Sequence, residues 1–369
     1  GLQLLTGDYN VFVGNYAGEG TTAGEKMTFV GGAAGRGVAT TDAEGAVGIG
    51  YAALNALLSG AGNTAVGFNS LLGNTTGYFN TALGYETLKA NVGGAANTAV
   101  GYFSLMTNTG NNNTSIGYAS LKVNAAGSKN TAVGQEALFT NASTNENTSL
   151  GYQAGYSTTG SENTFIGSRA GYNIAAVNGN VAVGRYALYT STGAVDCIAI
   201  GRQSMYSGNA TQTGTVAIGK SALTALTSGS GNVAIGYQAG MAATDNSRNT
   251  VMGHGAYRYS TSSDDNVVIG YNALRNAGSA NAGSDKNIAI GSYALDAADG
   301  GENDNIAIGY DAMGNANNSS TEFNIAIGNY TLDAIAGNTQ TGTIAIGHNA
   351  LTALTSGAGN VAVGYTAGT

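Results

Sequence analysis

Proline and tryptophan are absent from this 369-residue chain, and cysteine occurs once. Charged residues make up 9% of it, against about a quarter in ordinary soluble domains. Each shortage excludes something. The lone Cys197 rules out an internal disulfide framework and any cysteine-based zinc site. Sixty glycines without proline do not make collagen, which needs a strict three-residue period and abundant proline. Low charge does not mean disorder, because 43% of residues are hydrophobic and the net charge is only −8. The thirteen basic residues are scattered singly, which leaves no electrostatic footprint for nucleic acid. No apolar run approaches the roughly 18 residues of a membrane span, so no membrane insertion is expected. No signal peptide is read either, and a chain starting at Gly1 reads as a processed or partial product.

What is there is one short motif, written many times. "NTAVGYFSL" at Asn97–Leu105 returns as "NTALGYETL", "NTSIGYASL" and "NIAIGSYAL". The glycine closing each "A-V/I-G" recurs in twenty-one copies from Gly14 to Gly364, most of them sixteen to nineteen residues apart. The sequence therefore reads as a single repeat domain over 1–369, with irregular turns at 1–45 and regular repeats at 46–369. Each copy reads as two extended segments, Asn-(Thr/Ile/Val)-Ala-(Val/Ile)-Gly-Tyr and x-Ala-Leu, followed by a polar turn. No copy buries a core alone, whereas stacked copies do. The expected fold is all-β: a parallel β-solenoid or β-roll of about 21 turns with repeats of ~17 residues.

Columns follow from the stacking. Asn63, Asn80, Asn97, Asn113, Asn130 and Asn147 head successive copies, and sixteen of the twenty-one carry Asn there. Stacked asparagines predict an amide ladder along the axis. Cys197 and Thr215 replace Asn in that column, so Cys197 reads as a buried, inert thiol. Three residues after the Asn position every copy is apolar, as at Val66, Leu83, Val100, Ile116, Ile346 and Val363; this reads as a continuous buried stripe. One residue after it, Thr64 and Thr98 in the first half give way to Ile288 and Ile306 in the last third. The alanines and glycines between, such as Ala99 with Gly101, are expected on an exposed small-residue face that packs on other copies around a threefold axis.

The "VAIG" and "IAIG" cores at Val233–Gly236, Ile288–Gly291 and Ile306–Gly309 resemble the head repeats of YadA-type trimeric autotransporter adhesins. That family's repeat is shorter. The longer form, "NTAVGFNSLLGNTTGYFNTALGYETL" from Asn63, resembles the repeat regions of phage tail fibres that carry an endosialidase-type chaperone. The first resemblance implies a left-handed, homotrimeric roll that binds extracellular matrix. The second implies a virion tail fibre whose three chains are registered by a chaperone; none is read here, which implies cleavage or an earlier fragment end.

Chemistry needs a cluster that breaks the repeat. His254 and His348 merely occupy the slot after the anchor glycine that Tyr fills elsewhere, and no catalytic constellation assembles from them. Asp296, Asp299, Glu302 and Asp304 are the weak candidates for a Ca²⁺ site, and a solvated turn is the simpler reading. Asp264 with Asp265, or Asp296 with Asp299, are the carboxylate pairs that a glycosidase would use. The stripe Tyr51, Phe68, Tyr85, Tyr102 and Tyr118 suits sugar binding or, more simply, packing. Asn74, Asn141, Asn209 and Asn329 head Asn-x-Ser/Thr sequons.

These readings give a non-enzymatic fibre shaft or head without a cofactor, on a virion tail or a cell surface. Its expected partners are further copies of itself and a glycan or protein receptor. A YadA-like adhesin, a self-assembling filament and a tailspike depolymerase are the alternatives.

Overall fold

The computed structural model describes residues 7–37, 40–175, 177–208, 212–277, 283–316, 321–335 and 339–369. They form a parallel β-solenoid, divided into two compact units at 1–178 and 179–369 within what the sequence reads as one domain. Each repeat supplies one three-residue strand between the Asn column and the anchor glycine. In the first unit ten such strands run from Val11–Val13 to Thr164–Ile166. Each pairs in parallel with its equivalent, for example Thr81↔Thr98 and Leu83↔Val100. Val11–Val13 and Thr28–Val30 pair in full register, and Thr41–Ala43 is a short 3-10 turn. In the second unit eleven strands run from Val181–Val183 to Val361–Val363 in the same way.

The strands stop at the anchor glycine because its backbone takes a conformation closed to other residues. Gly117 has φ +136°, and a Cβ there would lie 2.5 Å from the carbonyl oxygen of Gly134, the next anchor. Only glycine fits that conformation and that approach.

The segment after the glycine is not the second strand that x-Ala-Leu suggested. Its residues alternate in hand, with Asn69 at φ +53° and Leu71 at φ +51°. Left-handed non-glycine residues are uncommon. Here the neighbouring turns hold them: Asn69 N donates to Tyr51 O at 3.0 Å, and Leu71 N donates to Thr87 O at 3.0 Å. Short second strands do occur farther on, at Thr107–Asn108 with Val123–Asn124 and at Thr190–Ser191 with Ser207–Gly208.

The two faces of the strand are the reverse of the expected ones. The middle residue (Ala65, Ala82, Ala99, Ala307) is fully buried. The third residue points outward, with Leu83, Ile116 and Leu150 exposed and Val66, Val100 and Ile308 half-buried. A turn of seventeen residues encloses too little width for two large rows. The leucine of the turn, such as Leu71 or Leu88, is fully buried, and alanine is what fits opposite it.

Three exceptions to that pairing follow its logic, whereas others do not, such as Ala234 with Gly240 and Val251 with Tyr257. Where the strand centre is Phe, the residue six positions later is Gly in place of Leu: Phe12 with Gly18, Phe29 with Gly35, Phe165 with Gly171. A Cβ on Gly18 would lie 2.8 Å from the Phe12 ring, and one on Gly171 would clash with the edge of the Phe165 ring. Backbone strain is not the obstacle, since Gly171 at φ +57° matches Leu71 at +51°. We expect Gly171→Leu and Phe165→Ala each to destabilise by roughly 3–4 kcal/mol, through overpacking and a cavity respectively. The double variant recreates the common rung and should recover at least about 2 kcal/mol as coupling. Denaturant unfolding of the four proteins checks this; additive losses would contradict it.

Candidate assembly and binding faces

The asparagine column forms the ladder that the sequence suggested. Asn63 Oδ1 accepts from Asn80 N at 2.9 Å and from Asn80 Nδ2 at 3.1 Å. Asn80 Oδ1 does the same for Asn97, Asn97 for Asn113, Asn113 for Asn130, and Asn130 for Asn147. Each Nδ2 spends its other proton on a turn carbonyl of the following copy, as Asn80 does on Gly94 O at 2.8 Å. All six side chains are fully buried, and the ladder satisfies them without water.

A second ladder runs on the outer turn and has the opposite sense. Ala95 N donates to Asn111 Oδ1, Asn111 N to Ser128 Oγ, Ser128 N to Asn145 Oδ1, and Asn145 N to Ser161 Oγ. Sequence reasoning missed it because Asn and Ser alternate in that column. The signal available was their shared position, two residues before the Asn of the strand.

Tyr51, Phe68, Tyr85, Tyr102 and Tyr118 stack ring on ring at 5.4, 5.1, 4.9 and 5.6 Å, within 15° of parallel. Their faces are spent on one another, and edges and hydroxyls remain outward. A sugar docking on a ring face has little to dock on, so the geometry favours packing. His254 stacks between Tyr237 and Tyr271 at 4.8 and 5.3 Å, as a member of this column type.

The outward strand residues make the largest feature. Thr and an aliphatic residue alternate in the first unit, as Thr64 with Val66 and Thr131 with Val133. In the second unit both outward positions are mostly aliphatic: Val267 and Ile269, Ile288 and Ile290, Ile306 and Ile308, Ile325 and Ile327, Ile344 and Ile346. No charged residue stands in either outward column. At about 4.8 Å per strand, eleven strands give an uncharged face on the order of 500 Å², beyond what isolated exposed side chains explain.

The acidic candidates do not converge on a cation. Among the described residues no group of three His, Cys, Asp or Glu is placed to hold a metal ion. Glu302 is no solvated turn residue: it is fully buried and accepts from Ser284 Oγ and Gly300 N, both at 2.9 Å. Burial pushes its carboxyl above the usual range. Asp296 faces other residues; burial first, then Asp311 and Asp333, raise it to about 6 against the pull of Arg275. Asp311 and Asp333 are raised as well, by burial first.

Asp296 gives a pH prediction. Its unfolded value is near 3.9, so the stabilising protonated form is fully present below about 4 and lost as pH rises through about 6. We therefore expect the second unit to gain thermal stability as pH falls from about 7 to about 5, and Asp296→Asn to flatten part of that slope. Melting curves across this window check it; a stability that falls over the same range would contradict it.

The remaining candidates are spoken for. Asp265 is clasped by Arg248 at 2.6 and 2.9 Å, and Asp264 by the same guanidinium at 3.3 Å. Asp264 Oδ1 also accepts Ser247 N at 2.7 Å, so this pair is no free acid–base couple. Cys197 is buried, and burial pushes its thiol up, away from nucleophilic chemistry. Asn74 and Asn141 lie fully inside the turn, beyond the reach of glycosylation in the folded chain, whereas Asn329 is exposed. Asn209 lies outside the described residues. No helix among the described residues is long and apolar enough to cross a membrane.

No protein-family model, no curated protein and no solved structure matches the chain significantly.

Proposed function

We propose that the chain is the shaft or head of a homotrimeric attachment fibre, most simply a phage tail fibre. The observation that carries this is the uncharged aliphatic face of the second unit, two outward columns wide and eleven strands high. Water in contact with such a face is unfavourable at every rung, and covering it with the same face of other copies removes that contact rung by rung. Closed rotational symmetry lets each chain satisfy the others. Three copies, in place of two, rest on the resemblance to tail-fibre and YadA-type repeats. The ladders stiffen each turn against its neighbours, and repeated turns on the flank offer many weak contacts whose avidity accumulates. A YadA-like surface adhesin uses the same physics and differs in its anchor.

Sedimentation equilibrium tests the assembly: a mass three times the 36.6 kDa chain is expected, and a stable monomer would overturn the reading. The neighbours of the coding region separate the two settings, tail genes supporting the phage fibre and secretion or anchor genes the adhesin.

A further inference from the structure

The slot after the anchor glycine holds three cations in a row. Arg185, Arg202 and Lys220 follow Gly184, Gly201 and Gly219, and the strands before them pair in register as Val183↔Ile200 and Ile200↔Ile218. Backbone bonds lock the same column: Gln203 N donates to Arg185 O at 3.1 Å, Ser221 N to Arg202 O at 2.9 Å, and Gln238 N to Lys220 O at 2.9 Å. The three therefore occupy consecutive turns about 4.8 Å apart, and all are exposed.

Like charges placed directly opposite on neighbouring strands repel. Asp196 is the only acidic residue between Arg185 and Tyr237, and among the described residues no carboxylate neutralises this stack. Its polar and ring contacts are to tyrosines, with Arg185 Nη2 donating to the Tyr186 hydroxyl at 3.2 Å. Other cations of the chain do have carboxylate partners on an adjacent turn, as Lys129 has Glu146 and Arg248 has Asp265.

Aromatic rings flank the stack. Lys220 Nζ lies 5.3 Å from the Tyr237 ring centre, and the Arg185 guanidinium 4.6 Å from that of Tyr186. Tyr189 and Tyr206 stack at 5.1 Å, with Tyr186 edge-on to both.

We propose that this column is a subsite for an acidic polysaccharide, one bearing uronate or sialate carboxylates, laid along the stack. The proposal deepens the attachment-fibre reading and rests on it for its biological sense. An extended chain with carboxylates at intervals of one or two turns neutralises the repulsion, while tyrosine edges and hydroxyls meet the sugar rings. A polysaccharide fits better than nucleic acid. Tyr189 and Tyr206 each give one face to the other and Tyr186 stands edge-on to both, which is no run of stacking platforms for successive bases, and a net charge of −8 opposes a dense polyphosphate.

The test uses the full chain against immobilised polygalacturonate and polysialate, with neutral dextran and single-stranded DNA beside them, at low and physiological salt. Wild type should bind at least one acidic glycan and not dextran. Arg185→Gln/Arg202→Gln/Lys220→Gln should bind at least tenfold more weakly with a shallower salt dependence. Lys26→Gln/Lys129→Gln, which removes cations that have partners, should bind as wild type does. Absence of glycan binding at low salt, unchanged binding by the triple variant, or DNA binding as tight as the glycan would each overturn the proposal. Circular dichroism and sedimentation on the same samples keep the readings apart: a folded trimer that ignores both glycans sinks the subsite alone, and a monomer sinks the fibre reading.

Discussion

Gly117→Ala is expected to destabilise the chain by on the order of 3–5 kcal/mol, as measured by denaturant unfolding. Two effects add. At φ +136° an alanine is held in a region that side chains other than glycine rarely enter, worth about 1–3 kcal/mol. The new Cβ would also sit 2.5 Å from Gly134 O and 2.7 Å from its carbonyl carbon. That neighbour is backbone in a paired strand, Ile116↔Val133, so it moves only by breaking the pairing. Gly364→Ala separates the two effects. It has nearly the same φ, +138°, but the nearest atom to its Cβ is Ala367 Cβ at 3.8 Å. It should show the conformational part alone. Equal losses for the two variants would mean that close approach between turns is not what selects glycine.

Asn97→Ala should cost about 3 kcal/mol, and Asn97→Asp should cost more at neutral pH. Asn97 Oδ1 accepts Asn113 N at 2.9 Å and Asn113 Nδ2 at 3.2 Å, and its Nδ2 donates to Asn80 Oδ1 at 3.1 Å and Gly110 O at 2.9 Å. Alanine leaves the Asn113 amide N–H buried without an acceptor and opens a small void. Aspartate restores the acceptor but turns oxygen towards the oxygens of Asn80 and Gly110. A buried carboxylate so placed titrates above its unfolded value, so its penalty should shrink as pH falls. Urea midpoints for the three proteins at pH 7 and pH 5 read this directly. An Asp variant as stable as wild type at pH 7 would contradict the ladder.

The period, the amide ladder, the anchor glycines and the stacked rings were legible because each repeats one residue type at one position. Burial was not. Alternation in Thr98-Ala99-Val100 distinguishes two faces without saying which is inside, and apolarity pointed to Val100 where size should have pointed to Ala99. The pairing of Ala65 with Leu71 and of Phe165 with Gly171 held the answer, since only a narrow interior trades volume across six residues. The left-handed residues were hidden because their types vary: Asn69, Glu86, Gln153 and Ser221 share one conformation and little chemistry. Arg185, Arg202 and Lys220 look scattered along the chain and become neighbours only once the seventeen- and eighteen-residue spacings are wound into turns. "DAADGGENDN" misled in the same way, because winding sends Glu302 inward and Asp296 towards Asp311 and Asp333.

The proposal that other copies cover the outward aliphatic face is tested most directly by lysine substitution on the two faces of the strand. Ile308→Lys/Ile327→Lys should yield a smaller species by sedimentation with the β-sheet circular dichroism of wild type, while Ala307→Lys should fail to fold. Unfolding of the isoleucine variant, or an assembly that ignores it, would contradict the arrangement.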